Sequence, residues 1–125
     1  MTCGHALNKK RVGDGGENRA VHYLCDKGYE ILRRNYRFMR GEIDIIARDR
    51  QTIVFVEVKR SRGGDFGDPV EWVDEQKQKR IGIVAQGYLM EQGLEEADCR
   101  FDVIGIQEKN GRRIIRHLVD AFWPD

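Results

Sequence analysis

Gly41-Glu42-Ile43-Asp44-Ile45-Ile46-Ala47 and, after the polar break Arg48-Asp49-Arg50-Gln51, Thr52-Ile53-Val54-Phe55-Val56-Glu57-Val58-Lys59 decide the fold of this chain. The second stretch is rich in β-branched residues and reads as a strand. Val54, Val56 and Val58 alternate with Ile53 and Phe55, so both faces are apolar and the strand belongs in the middle of a sheet. Residues opposed in a hairpin have a constant index sum. A two-residue turn at Arg50-Gln51 gives the sum 101, which sets Asp44 opposite Glu57 on one face; an even sum would separate them. Alternation places Glu57 and Lys59 on the face of Ile53 and Phe55.

Working outward, Asp14-Gly15-Gly16-Glu17 is a capping-box-like helix start. Ala20, Val21 and Leu24 form its apolar stripe, and Gly28 suits the residue past its end. Tyr29-Glu30-Ile31-Leu32 opens a strand whose end is crowded by Arg33, Arg34, Arg37 and Arg40. Residues 63–69 read as a loop. A second helix starts with Asp74 as N-cap, carries Ile81, Val84, Ala85, Tyr88 and Leu89, and closes at Gly93. Arg100 to Ile106 is a strand, Asn110-Gly111 a turn and Ile114 to Val119 a weaker strand, with Ala121-Phe122-Trp123 docking back onto the body. The order is α-β-β-β-α-β-β, an α/β class in the mixed α+β sense. Residues 1–12 read as a flexible basic tail and 13–125 as a single domain, in keeping with 125 residues and 14.5 kDa.

With 40% hydrophobic and 34% charged residues the chain is not disordered in bulk, and no apolar run reaches membrane-spanning length. The first residues lack an apolar signal-peptide core. Cys3, Cys25 and Cys99 suit neither a disulfide framework nor a zinc site. A cytoplasmic protein is expected. The net charge of +1 hides a split. Residues 1–41 hold 9 Lys+Arg against 4 Asp+Glu, a balance of +5, and the remainder hold 13 against 17, a balance of −4.

Two acid-x-Lys triplets occur, Glu57-Val58-Lys59 and Glu75-Gln76-Lys77. The second falls at a helix start, where positions i and i+2 do not share a face. The first lies on a strand beside an upstream Asp44. Two carboxylates at the end of an apolar face suit a hard divalent cation, Mg²⁺ or Mn²⁺, with a lysine beside it to offset charge on a phosphate. The opposing reading is a structural ion pair of Asp44 and Glu57 with Lys59 or nearby arginines. Glu17 has two readings as well: the capping-box acid, or an acid on the apolar stripe able to approach Asp44 and Glu57. Glu42 is read as exposed or arginine-paired, His5, His22 and His117 as incidental, and Trp72, Phe122 and Trp123 as packing groups. Arg37, Arg40, Lys59, Arg60, Arg62, Lys77 and Arg80 flank the carboxylates in sequence and could hold a nucleic-acid backbone.

Gly13-x-x-Gly16-Glu17-x-x-Ala20, Arg40-Gly41-Glu42-Ile43-Asp44-Ile45-Ile46-Ala47, Val54-Phe55-Val56-Glu57-Val58-Lys59-x-Arg, Lys77-x-x-Arg80 and Arg100-Phe101-Asp102-Val103-Ile104 occur in that order. Together they resemble the YraN-type family of small bacterial proteins, over about residues 13–123. That family is similar to the restriction-endonuclease-like superfamily of PD-(D/E)-x-K nucleases, and to archaeal Holliday-junction resolvases in particular. The resemblance implies an α-β-β-β-α-β core with a mixed central sheet flanked by helices, and Mg²⁺- or Mn²⁺-dependent cleavage leaving a 5′-phosphate. It makes Asp44 and Glu57 metal ligands, the Val58 carbonyl a further ligand and Lys59 the catalytic lysine. Glu17 matches the superfamily's N-terminal helix acid, and Gln76 with Arg80 a polar element at a helix start. The superfamily's Pro before the Asp is replaced by Ile43, and Arg60-Ser61 precede Arg62. The expected function is a metal-dependent nuclease on DNA, of the branched or repair-intermediate kind, with a homodimer expected by analogy. The alternatives are a non-catalytic nucleic-acid-binding module and a scaffold whose carboxylates form structural ion pairs.

Overall fold

The computed structural model describes residues 15–62, the Arg62 side chain excepted, and 71–124. The tail, the Asp14 cap and the 63–69 loop lie outside them. The elements are α1 (Gly15–Asp26), β1 (Glu30–Phe38), β2 (Gly41–Asp49), β3 (Thr52–Arg62), α2 (Glu75–Glu91), β4 (Cys99–Lys109) and β5 (Arg112–Phe122). This is the order expected from the sequence. The strands lie side by side in chain order. β3 and β4 are parallel, joined through α2, and the other neighbours are antiparallel. The sheet is therefore mixed, with a helix on each face.

Two apolar layers hold it. Ala20, Val21 and Leu24 of α1 pack on Ile45, Ala47, Val54, Val56 and Ile104. Ile81, Val84, Ala85 and Tyr88 of α2 pack on Ile46, Ile53, Phe55 and Phe101. The even residues of β3 thus face α1 and the odd ones α2, as a two-sided central strand requires. Gly41 lets α2 approach closely: a Cβ there would lie 2.5 Å from Val84 Cγ2.

Chain ends of the elements follow their residues. Asp74 is the N-cap of α2, its carboxylate accepting from Lys77 N at 2.8 Å. Gly28 and Gly93 carry positive φ just past the two helices. β5 runs further than expected, to Phe122. A register shift between Phe101 and Val103, with Asp120 at φ 56°, absorbs two extra residues on β5. Trp123 then meets Phe101 edge-on, the docking expected of the C-terminal aromatics. Cys25 packs against the α1 layer, and Cys99 is a free thiol.

No helix among the described residues is long and apolar enough to cross a membrane.

Candidate metal and nucleic-acid site

The β2–β3 register is Ile45↔Val56, Ile46↔Phe55, Ala47↔Val54, Arg48↔Ile53 and Asp49↔Thr52, which is the index sum of 101 throughout. Continuing it sets Asp44 against Glu57. At that point the side chain takes over from the ladder: Val58 N–H donates to Asp44 Oδ2 at 2.8 Å. This bond fixes the Asp44 carboxylate where the ladder stops, beside Glu57. Glu57 is buried.

Burial, then the charge of Glu57, pushes the Asp44 carboxyl up from 3.8 to about 7; Glu42 acts in the same direction. The Val58 N–H and the Lys77 ammonium oppose the rise. Lys77 is the cation that reaches the pair, forming an ion pair with Glu57 Oε2. Burial alone would lower its pKa, but Glu57 and Asp44 raise it. Lys77 sits seven residues before Val84, two helical turns on the same face of α2, so the contact of Val84 with Gly41 carries Lys77 to the sheet end that holds Glu57.

Lys59 follows Glu57 by two residues on the same face of β3 and is exposed. Gln76 is exposed in the first turn of α2. Arg37 pairs with Glu42 at 3.8 Å, the arginine pairing expected of Glu42. Arg40 and Arg80 come together, lining a cleft of about 340 Å³ over Gly41 and Val84. Arg60 goes to the opposite face, toward α1. The basic residues that flank the carboxylates in sequence are therefore split between both faces of the sheet, and Lys77 is turned inward onto Glu57.

Glu17 is buried on the α1 side. Arg34 holds it through Nε and Nη2, both at 2.9 Å, and Asn35 Nδ2 donates at 2.8 Å. These contacts run to β1, whereas Asp44 and Glu57 are bound to Val58 and Lys77. The Asn35 backbone, at φ 51°, belongs to the irregular stretch of β1 that delivers its amide there.

The sequence reading missed one buried cluster. Asp102, fully buried in β4, accepts from Arg100 Nε at 3.0 Å and from Asp120 N at 2.9 Å, and its Oδ2 lies 2.7 Å from His117 Nε2. Burial by itself would raise this carboxyl, but His117, Arg100 and the Asp120 N–H hold it below its ordinary value. His117 is therefore not incidental. An acid inside the apolar run Phe101-Asp102-Val103-Ile104, with Arg100 two residues before it on the same face, was the available signal.

Could the carboxylates hold a cation? Among the described residues no cluster of three or more His, Cys, Asp or Glu side chains does so. The donors at the strand ends are two carboxylates, with the Val58 carbonyl as the expected third. Mg²⁺ is commonly held by one or two carboxylates, with water and substrate phosphates completing its shell. The like-charge pair that raises Asp44 fits that chemistry.

The uncharacterised protein family UPF0102 matches residues 16–106. A UPF0102 protein of Prosthecochloris aestuarii is 46% identical over 120 residues, covering 91% of this chain and 94% of the relative. One from Chlorobium limicola is 48% identical, covering 91% and 93%. One from Alkaliphilus oremlandii is 50% identical over 118 residues, covering 93% of this chain and all of the relative. The chain belongs to the UPF0102 family, the YraN-type family that its motifs resemble.

Proposed function

We propose that this protein is a metal-dependent nuclease that hydrolyses phosphodiester bonds in DNA, with Asp44 and Glu57 as the metal-binding carboxylates and Lys59 as the catalytic lysine. The observation that carries this reading is the Asp44–Glu57 pair. Two acids are brought together where the β2–β3 ladder stops, and the Asp44 carboxyl is raised by burial and by its neighbour. Ion pairing holds the Asp102 carboxyl below its ordinary value, whereas at Asp44 burial and the charge of Glu57 outweigh the Val58 N–H and the Lys77 ammonium.

Bound there, Mg²⁺ or Mn²⁺ would supply a water of lowered pKa and neutralise a phosphate oxygen. The chain's own groups do the rest. The Val58 N–H keeps the Asp44 carboxylate in one orientation. Glu57 would hold the metal together with Asp44 in place of its present ion pair with the half-exposed Lys77. Lys59, on the same face of β3, offers an ammonium to the phosphate as charge builds on its oxygens. Water loses a proton and adds to phosphorus, the bond to the 3′ oxygen breaks and that oxygen takes up a proton to become a hydroxyl, and the 5′-phosphate stays on the other product. Arg40 and Arg80 hold the flanking backbone. Glu17 enters as the helix acid of the motif; its bonds to Arg34 and Asn35 give it a positioning role on β1.

A non-catalytic nucleic-acid-binding module is the second reading, and the Lys77–Glu57 ion pair favours it, since it already neutralises half of the carboxylate pair. Incubation with linear, nicked, flapped and four-way-junction DNA in Mg²⁺ and in Mn²⁺ separates the two. The nuclease reading expects cleavage that Lys59→Ala abolishes with the fold intact. Cleavage that survives Lys59→Ala overturns it. Salt-sensitive binding without cutting of any substrate supports the module.

A further inference from the structure

A cavity of about 460 Å³ lies between the start of α1 and the end of β3, on the face away from Lys77. Arg19, Arg60 and Arg113 line it, with Gly16, Ser61 and Glu108. Arg60 is built into this position. A Cβ on Gly16 would fall 2.1 Å from Arg60 Cδ and 2.8 Å from Cγ. The aliphatic stem of Arg60 therefore lies directly on the glycine, and only a residue without a side chain leaves room for it. Arg113 shares its charge with Glu108 at 2.9 Å. Arg19 and Arg60 then leave the cavity with a formal surplus of two positive charges. The α1 N-terminus faces the same space and adds to the positive potential.

We propose that this cavity is a phosphate subsite for a nucleic-acid strand, with Arg60 and Arg19 as its principal cations and Gly16 as the residue that seats Arg60. The proposal rests on the nucleic-acid reading above and extends it to residues on the α1 face. Planar guanidinium forks match phosphate oxygens. Ile106 supplies the apolar lining, and no aromatic ring among the described residues does, so the site suits a phosphate group and not a base or a small apolar ligand. Arg60 lies three residues beyond Glu57, about 10 Å along the strand. A duplex covers that rise in about three nucleotides. Because the cavity is on the other face of the sheet, a strand running from the carboxylates would have to pass the end of β3 to present a phosphate here, either an internal phosphodiester or a terminal 5′-phosphate.

The test measures binding of a 3′-labelled DNA duplex by fluorescence anisotropy in EDTA, across a salt series, with thermal melts confirming the fold of each variant. Arg60→Ala and Arg19→Ala should each weaken binding about tenfold. Each should also lower the slope of log affinity against log salt by about one. Arg60→Lys should keep the slope and lose part of the affinity. Gly16→Ala should reproduce the Arg60→Ala loss by dislodging the stem. An effect confined to 5′-phosphorylated duplex assigns the cavity to a terminal phosphate; an equal effect on 5′-hydroxyl duplex assigns it to an internal one. Unchanged affinity and slope in Arg60→Ala and Arg19→Ala overturn the subsite, even where Asp44-dependent cleavage is seen. Arg60-dependent binding by a protein that cleaves nothing sustains the subsite and sinks the nuclease. Absence of DNA binding by the unmodified protein overturns both.

Discussion

Asp44→Asn should stabilise this protein at alkaline pH and leave it nearly unchanged in acid. The Asp44 carboxyl titrates at 3.8 in the unfolded chain and at about 7 in the folded one. Between those values the folded protein holds a proton that the unfolded chain has lost. Stability from this group is fully present below 3.8, falls as pH rises through the window, and is gone above about 7. Each pH unit is worth ~1.4 kcal/mol, so the ionised carboxylate removes up to about 4 kcal/mol. Asparagine carries no charge beside Glu57 and keeps an oxygen for the Val58 N–H. Urea unfolding in EDTA, at a series of pH values from acid to alkaline, reads the difference directly. With a denaturant dependence of about 2 kcal/mol per molar, the Asp44→Asn midpoint should exceed the parent's by up to about 2 M above neutral pH, and converge with it in acid. A difference that does not change with pH would refute the reasoning, as would an Asp44→Asn protein less stable than its parent in alkali.

Lys77→Ala removes the ammonium from buried Glu57. Because Lys77 is half exposed, the loss should be modest, about 1 kcal/mol in EDTA, and Mn²⁺ should restore it; equal melting of both proteins in EDTA would argue against the pair. Asp102→Ala strips a fully buried carboxylate from Arg100, His117 and the Asp120 N–H. It should cost about 3–5 kcal/mol by denaturant unfolding near neutral pH, and a loss under 1 kcal/mol would contradict the assigned network. Since the Asp102 carboxyl is held below its ordinary value, its contribution is present above that value and fades as pH falls through the folded one. Asp74→Ala deletes the cap that accepts from Lys77 N. A loss of about 1 kcal/mol is expected in the same assay, and no loss would mean that α2 starts elsewhere.

The hairpin was legible because period-2 alternation and the short Arg50-Gln51 turn together fix parity, and parity alone sets Asp44 toward Glu57. What happens beyond Ile45↔Val56 was not legible. There the Val58 N–H turns to a carboxylate, a choice that depends on where the ladder ends. The inward turn of Lys77 depends on how α2 is laid across the sheet, which Gly41 and Val84 set by contact and not by spacing. His117 lay fifteen residues from its partner, across a bulged strand pair whose irregularity at Asp120 no propensity announces. Glu17 carried two readings in sequence. Its partners, Arg34 and Asn35, are presented by an irregular stretch of β1 that the arginine-rich run concealed.

Titration of Mn²⁺ followed by electron paramagnetic resonance, at a pH above 7 where Asp44 is ionised, tests the central claim most directly. The account predicts a saturable site in the unmodified protein that is lost in Asp44→Ala and in Glu57→Ala. Mn²⁺ bound equally well by both variants, or not bound by the unmodified protein, would contradict it.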